Sequence, residues 1–178
     1  MEVNILETIQ AIHTRRSIRS FTEEEISTGD IEILLKAAMQ APSARNTQSW
    51  QFVVTTERQN LDQISEVHPY AAMSKEARLG ILVCGDLELE PSLEYNALNC
   101  SAATQNILLA AHDIQLGGVW IGIHPRQERK NAMRSLFELP ENIEPISLVL
   151  LGHPTVQATP ANRFKKERIH FEKWSRKE

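Results

Sequence analysis

Cysteine is scarce: Cys84 and Cys100 are the only two among 178 residues, and neither stands at a metal-ligand or redox spacing. Both sit in apolar stretches, so unpaired core thiols in a reducing compartment are expected, the alternative being a functional thiol. No apolar run approaches the roughly eighteen residues of a membrane span, and the opening MEVNILETIQ is acidic and lacks a signal peptide's apolar run. A soluble cytoplasmic protein is therefore expected. Glycine-rich nucleotide loops are missing too. Neither GGVWIG nor GILVCG has the G-x-G-x-x-G spacing after a strand, and no Walker-type lysine loop occurs, which argues against a tightly held dinucleotide. The histidines are scattered without a His-Glu-x-x-His pattern, so no metal is expected, and no serine lies in a Gly-x-Ser-x-Gly elbow. A net charge of -4 disfavours nucleic acid or a membrane surface as a general partner.

What remains is an ordinary globular composition, 42% hydrophobic and 24% charged, in a chain able to bury about 70% of its unfolded surface. One domain, 1–178, is expected. Its charge is uneven: residues 161–178 carry seven Lys/Arg against three Asp/Glu, so this tail is +4 and residues 1–160 are -8. Phe164, Ile169, Phe171 and Trp174 lie among those charges, which suggests that the segment 154–178 wraps over a surface such as a second subunit.

Apolar spacing divides the chain into helices and strands. Asn4 with Glu7 has the form of a capping box for a first helix through Ile12, and Ser27 with Asp30 opens a second that Pro42 stops. Strands are expected at 51–56, 79–86, 119–123 and 146–151, with a long helix from Ser92 to Leu116 capped by Gly117 and an amphipathic helix near Gln127–Phe137. Residues 57–78 read as polar helix and loop. Apolar strands separated by helices indicate a layered α/β or α+β domain around a central mixed sheet. His68, His124 and His153 each precede proline, which favours turns, with substrate contact as the alternative.

Two polar segments stand out. RRSIRSF places Arg15, Arg16 and Arg19 within five positions. At about 6 Å and an effective dielectric near 20, each like-charge pair costs roughly 3 kcal/mol, so either the groups are solvated or an anion sits among them. Guanidinium groups suit phosphate because each can donate two parallel hydrogen bonds. The loop APSARNTQSW, rich in small and hydrogen-bonding residues, is either a plain helix stop or part of a site.

Together these segments carry a resemblance. RRSIRSF, AAMQAPSARNTQSWQFVV, AATQNILLAAHDIQLGGVWIGI, LGHP and NRFKKERIHFEKW appear in the order found in the FMN-dependent nitroreductase family, and the chain resembles that family over nearly its whole length. The resemblance implies an α+β three-layer sandwich with a mainly antiparallel sheet, forming an intertwined homodimer with two FMN sites at the interface. It implies that Arg15 and Ser17 hold the FMN phosphate with Arg16 nearby, and that Arg163 adds a contact from the tail. Arg19 would lie at the pyrimidine edge of the ring. Pro42, Ser43 and Asn46 match the family's PSxxN element, Asn46 reaching the ring or ribityl chain and Gln48 being a further candidate. Trp120, Ile121 and Gly122 match the stretch whose backbone N–H approaches flavin N5. Two departures are visible: Asn99 stands where relatives commonly have Asp, with a possible effect on interface packing, and Arg78 replaces a frequent proline.

The activity so implied is an NAD(P)H-dependent oxidoreductase in which NADH or NADPH docks transiently and an acceptor, whether nitroaromatic, quinone or free flavin, follows it in ping-pong order. No side chain would be catalytic in itself, since the reactive atom belongs to the cofactor, although Arg19 would tune it. His68 and Tyr70 are candidates for the acceptor pocket. The alternatives are a specialised flavoenzyme on the same scaffold, such as a reductive dehalogenase or a flavin-modifying enzyme, and a non-catalytic anion-binding dimer.

Overall fold

The computed structural model describes residues 7–156, 159 and 161–174. Within them the apolar segments pair into one antiparallel sheet in the order β1-β2-β4-β3, from β1 (Trp50–Thr55), β2 (Leu79–Asp86), β3 (Gly117–Gly122) and β4 (Ile143–Gly152). Strands β2 and β4 are central and buried almost throughout, as continuous apolar runs require, and they pair from Leu79↔Leu151 to Asp86↔Ile143. Alternation then sorts their side chains between two cores. Leu79, Ile81, Val83, Val149 and Leu151 face α2 (Thr28–Met39) and α4 (Leu93–Asp113). Leu82, Cys84, Leu148 and Leu150 face α3 (Arg58–Val67) and α5 (Gln127–Leu136). The result is the expected three-layer α+β sandwich. Its parallel component is confined to an isolated bridge between Ser17 and Gly118 on the outer edge of β3.

Helix ends show where local chemistry acted. Ser27 Oγ accepts from Asp30 N at 3.0 Å and Ser92 Oγ from Tyr95 N at 3.2 Å, each satisfying an otherwise orphaned amide. The first helix, α1 (Thr8–Thr14), begins after Glu7, and the capping box expected at Asn4 lies outside the described residues. Gly117 is not the cap of α4. That helix ends at Asp113, Gln115 takes the left-handed turn at φ 66, and Gly117 opens β3. There its missing side chain serves close approach, for a Cβ would lie 2.7 Å from Ile18 Cγ2.

Both thiols are free and buried in the two cores; burial raises the pKa of Cys84 strongly and pushes that of Cys100 up to about 12. They are inert at neutral pH. No helix among the described residues is long and apolar enough to cross a membrane.

A buried ion pair ties α5 to β4: Glu144 meets Lys130, both nearly fully buried, and also accepts from Arg134 Nη2 at 2.9 Å. Truncating one member strands a buried charge, which typically costs about 3–5 kcal/mol. Glu144→Ala is therefore expected to lower the unfolding free energy by roughly that amount in urea titrations, with α5 losing amide protection first.

Candidate functional site

The basic segment leaves α1 at Thr14 and runs along the outer edge of β3. Ile18 N donates to Gly118 O at 3.0 Å, and Phe21 bridges Pro154. This course sets Arg15 and Arg16 beside a cavity of about 580 Å³ bordered by His112, Asp113, Gly117 and Gly118. Arg16 is fully engaged with backbone: it donates to Arg15 O at 2.6 Å, to Thr159 O at 3.3 Å and to Ala161 O at 3.1 Å. By holding the tail it brings Arg163 towards Arg15. Partial burial, then repulsion from Arg163 and Arg16, pulls the Arg15 pKa below the ordinary guanidinium value. Of the residues matched to phosphate binding, Arg15 and Arg16 border the cavity and Arg163 lies near Arg15, while Ser17 is exposed on the edge of β3, bridged to Gly118.

His112 also borders this cavity. Thr14 Oγ1 donates to Gln10 O at 2.7 Å, so it accepts from His112 Nε2–H at 2.8 Å. Burial first, and then Arg15, lower the His112 pKa.

The other end of β3 borders a second cavity of about 410 Å³, lined by Arg19, His68, Tyr70, Trp120, Gly122 and Arg129. The open edge of the strand is polar. Gly118 O accepts from Ile18 and Gly122 O accepts from Arg129 Nη1 at 2.9 Å, so by alternation the N–H groups of Trp120 and Gly122 face outward while that of Ile121 turns to β4. His68 is locked between two backbone groups. Its Nδ1 accepts from Tyr70 N at 3.2 Å, so Nε2 carries the proton it donates to Gly122 O, also at 3.2 Å. Burial, and more weakly Arg129, lower its pKa.

The loop after α2 lies elsewhere. Arg45, Asn46 and Gln48 have φ of 53, 57 and 50, a run of left-handed non-glycine residues. Such strain persists only where the surroundings enforce it. Arg45 Nη2 contacts both oxygens of buried Glu90 at 2.7 and 2.6 Å, and Ala44 N donates to Asn99 Oδ1 at 2.8 Å. Asn99 Nδ2 in turn donates to Ser49 Oγ at 3.1 Å, and Gln48 N donates to Ser43 Oγ at 3.0 Å. Asn99 is therefore a buried brace within the chain. Pro42 leads into the loop, and the side chains of Asn46 and Gln48 are exposed.

One chain does not bring all the candidates together. Asn99 and His112 mark the loop and the cation cluster on the same helix, thirteen residues or about 20 Å apart. Across the sheet, β1 and β3 are opposite edges, three strand spacings or about 14 Å apart. Arg15, Ser17, Arg19 and Trp120–Gly122 lie along the β3 edge with Arg163 near Arg15, whereas Pro42, Ser43, Asn46 and Gln48 lie in the loop before β1.

Sequence reading missed His112 and Arg129. The first lay in a helical pattern read only for its apolar stripe. Arg129 had one faint signal: with Arg126 it places cations at the start of a helix, where the helix dipole disfavours them.

Because the folded-state pKa of both His68 and His112 lies below the ordinary 6.5, the unfolded chain binds protons first as pH falls. Stability is then expected to drop as pH falls below about 6.5 and to level off once the folded histidines also titrate. The carboxylates held low, Glu32, Glu90 and Glu94, act in a separate window below 4.5. Urea unfolding at pH 7.5 and pH 5.5 checks this, the double variant His68→Asn, His112→Asn showing the smaller loss.

Comparison with known proteins places the chain in a family. The profile of the Nitroreductase family matches residues 12–79 and 71–153. A Methanothermobacter thermautotrophicus protein provisionally named NADH dehydrogenase/NAD(P)H nitroreductase is 43% identical over 97% of this chain and 91% of its own length. A crystal structure provisionally named NADH oxidase, from Clostridium acetobutylicum, superposes with TM-score 0.89 at 39% identity, covering 92% of this chain and 99% of that one. A nitroreductase from Desulfovibrio desulfuricans, solved in complex with FMN, gives 0.82 at 30% identity over 96% and 99% of the two chains. With the profile spanning both cores and the open edge of β3, this chain belongs to the nitroreductase family.

Proposed function

We propose that the chain is an FMN-dependent NAD(P)H oxidoreductase working as a homodimer in the cytoplasm, where free Cys84 and Cys100 would stay reduced. The observation that carries this reading is the approach of Arg163 to Arg15, which itself lines the cavity at one end of an open strand edge. A phosphate there would offset the repulsion and accept bidentate bonds from both guanidinium groups, with Ser17 adding a hydroxyl donor. Arg19 and the N–H groups of Trp120 and Gly122 lie further along the same edge, so the cradle extends from a phosphate site to a site for a flat polar ring. Arg19 would lower the cost of negative charge on that ring. FMN fits this donor set. When bound, it supplies the redox chemistry, taking hydride from NADH or NADPH and passing electrons to a nitroaromatic, quinone or flavin acceptor, in ping-pong order.

A second copy completes the site in this reading, bringing Pro42, Ser43, Asn46 and Gln48 to the half they do not reach within their own chain. Exposed Ile9 and Ile12 on α1 and Leu98 on α4 offer apolar area for that contact, as do Phe164, Phe171 and Trp174 in the segment 154–178, which would wrap the partner. The whole chain, 1–178, would act as one domain. Named relatives include an FMN reductase of Bacillus subtilis and an NADPH-flavin oxidoreductase of Vibrio harveyi.

Purified protein is expected to be yellow and to release FMN on denaturation, and the double variant Arg15→Ala, Arg163→Ala to be largely colourless with unchanged helical circular dichroism. Flavin retention at wild-type affinity by that variant would remove both residues from the phosphate site. The split of the site has its own test. Arg15→Ala and Asn46→Ala chains, each impaired alone, are expected to recover FMN binding when mixed and refolded, about a quarter of all sites being intact in a random mixture. No recovery on mixing would argue that each chain holds its own complete site.

A further inference from the structure

The cavity at the Gly122 end of β3 holds more positive charge than the proposed ring contact uses. Arg19 and Arg129 both line it, and no carboxylate does. The ion pairs among the described residues involve neither guanidinium. Arg129 is placed with particular strain. It stands in the first turn of α5, where the helix dipole disfavours a cation, and its buried Nε–H has no acceptor. Its Nη1 bond to Gly122 O at 2.9 Å fixes the group in place, and its Cζ lies 5.2 Å from the Tyr70 ring centroid. Tyr70 itself is 68% exposed, and Trp120 is partly so. A fixed cation is thus framed by aromatic surface at a cavity mouth.

We propose that Arg129 is the specificity residue of this cavity, binding the carboxylate or phosphate of a flat anionic molecule that enters it. The proposal rests on the flavin reading only in that such a molecule would be the electron acceptor or the nicotinamide dinucleotide. A carboxylate on an acceptor ring and the ribose-borne phosphates of the dinucleotide present the same anionic oxygens to a guanidinium.

The test uses benzoate and its uncharged isostere benzamide, titrated calorimetrically into the protein with and without FMN. Benzoate is expected to bind more tightly than benzamide in both. Arg129→Gln should weaken benzoate by about ten- to hundredfold, the effect of losing a charge-assisted hydrogen bond, and so shrink its advantage over benzamide. Arg129→Lys, which keeps the charge, should recover part of the difference. Thermal unfolding separates these effects from loss of fold, and Arg129→Lys remains informative should Arg129→Gln prove unstable. In turnover, Arg129→Gln should raise KM for 4-nitrobenzoate relative to 4-nitrobenzamide if the anion belongs to the acceptor. A rise in KM for NADH and NADPH instead would assign it to the dinucleotide phosphates. Equal treatment of benzoate and benzamide by the wild-type protein, or unchanged selectivity in both variants with all KM values intact, overturns the proposal. Failure to take up FMN, seen directly in the absorption spectrum, overturns the flavin reading alone, because the FMN-free titration still reports on Arg129.

Discussion

Mutual repulsion among guanidinium groups at the start of β3 governs the arrangement around it. Arg15 is half-buried, and burial first, then repulsion from exposed Arg163 and from Arg16, displaces its pKa downward. Two features partly offset the repulsion. The C-terminal end of α4, with Asp113, points its negative pole at the cavity, and Arg16 turns away to backbone carbonyls. What these leave is a cavity bordered by the charge of Arg15. An incoming anion would relieve repulsion already present, so its binding would draw on energy stored in the fold.

The second half of the site obeys a different constraint. A chain passing through consecutive left-handed residues carries a penalty of about 1–3 kcal/mol at each, and that penalty must be met by rigid attachments nearby. Here they come from α4 and the turn before it: Glu90 clamps Arg45, and Asn99 braces Ala44 and Ser49. The Glu90 carboxyl is held below the usual range by Arg45 first and then by the Ser92 amide. A carboxylate at position 99 would still accept from Ala44 but would have no proton to give Ser49, so the amide suits this loop on its own terms. Helix α4 therefore acts as a spacer, anchoring the strained loop near its start and the cation cluster at its end.

Most of the layered fold was legible because each strand and helix carries its own period. LGILVCGD and ISLVLL are short continuous apolar runs of buried-strand type, and Ser27 with Asp30 announced its helix through chemistry confined to one turn. The cap of α4 was misread because a glycine just past an apolar stripe resembles a stop signal. The need of Gly117 for space arises from Ile18, a residue about a hundred positions away. The resemblance singled out Arg15, Ser17 and Arg163 together, but the hold of Arg16 on the tail was not readable, since its acceptors are main-chain carbonyls that leave no mark in sequence. Arg129 was hidden for the same reason: its partner is the carbonyl of Gly122.

Proton supply follows from the same hydrogen bonds. His68 would be the natural proton donor of the second cavity, yet both ring nitrogens are occupied by backbone groups, and burial keeps the ring neutral. To release the Nε2 proton it would have to withdraw its hydrogen bond from Gly122 O, leaving that carbonyl with the Arg129 donor, and so loosen the ring orientation that Tyr70 N–H enforces. Arg19 and Arg129 line the cavity as hydrogen-bond donors, and the Tyr70 ring is largely open to solvent. The described side chains of this cavity therefore supply charge, shape and donors rather than a transferable proton. A reduction carried out here would draw its protons from water entering past Tyr70, and its rate at neutral pH would be governed by how well the cavity orients the two reactants.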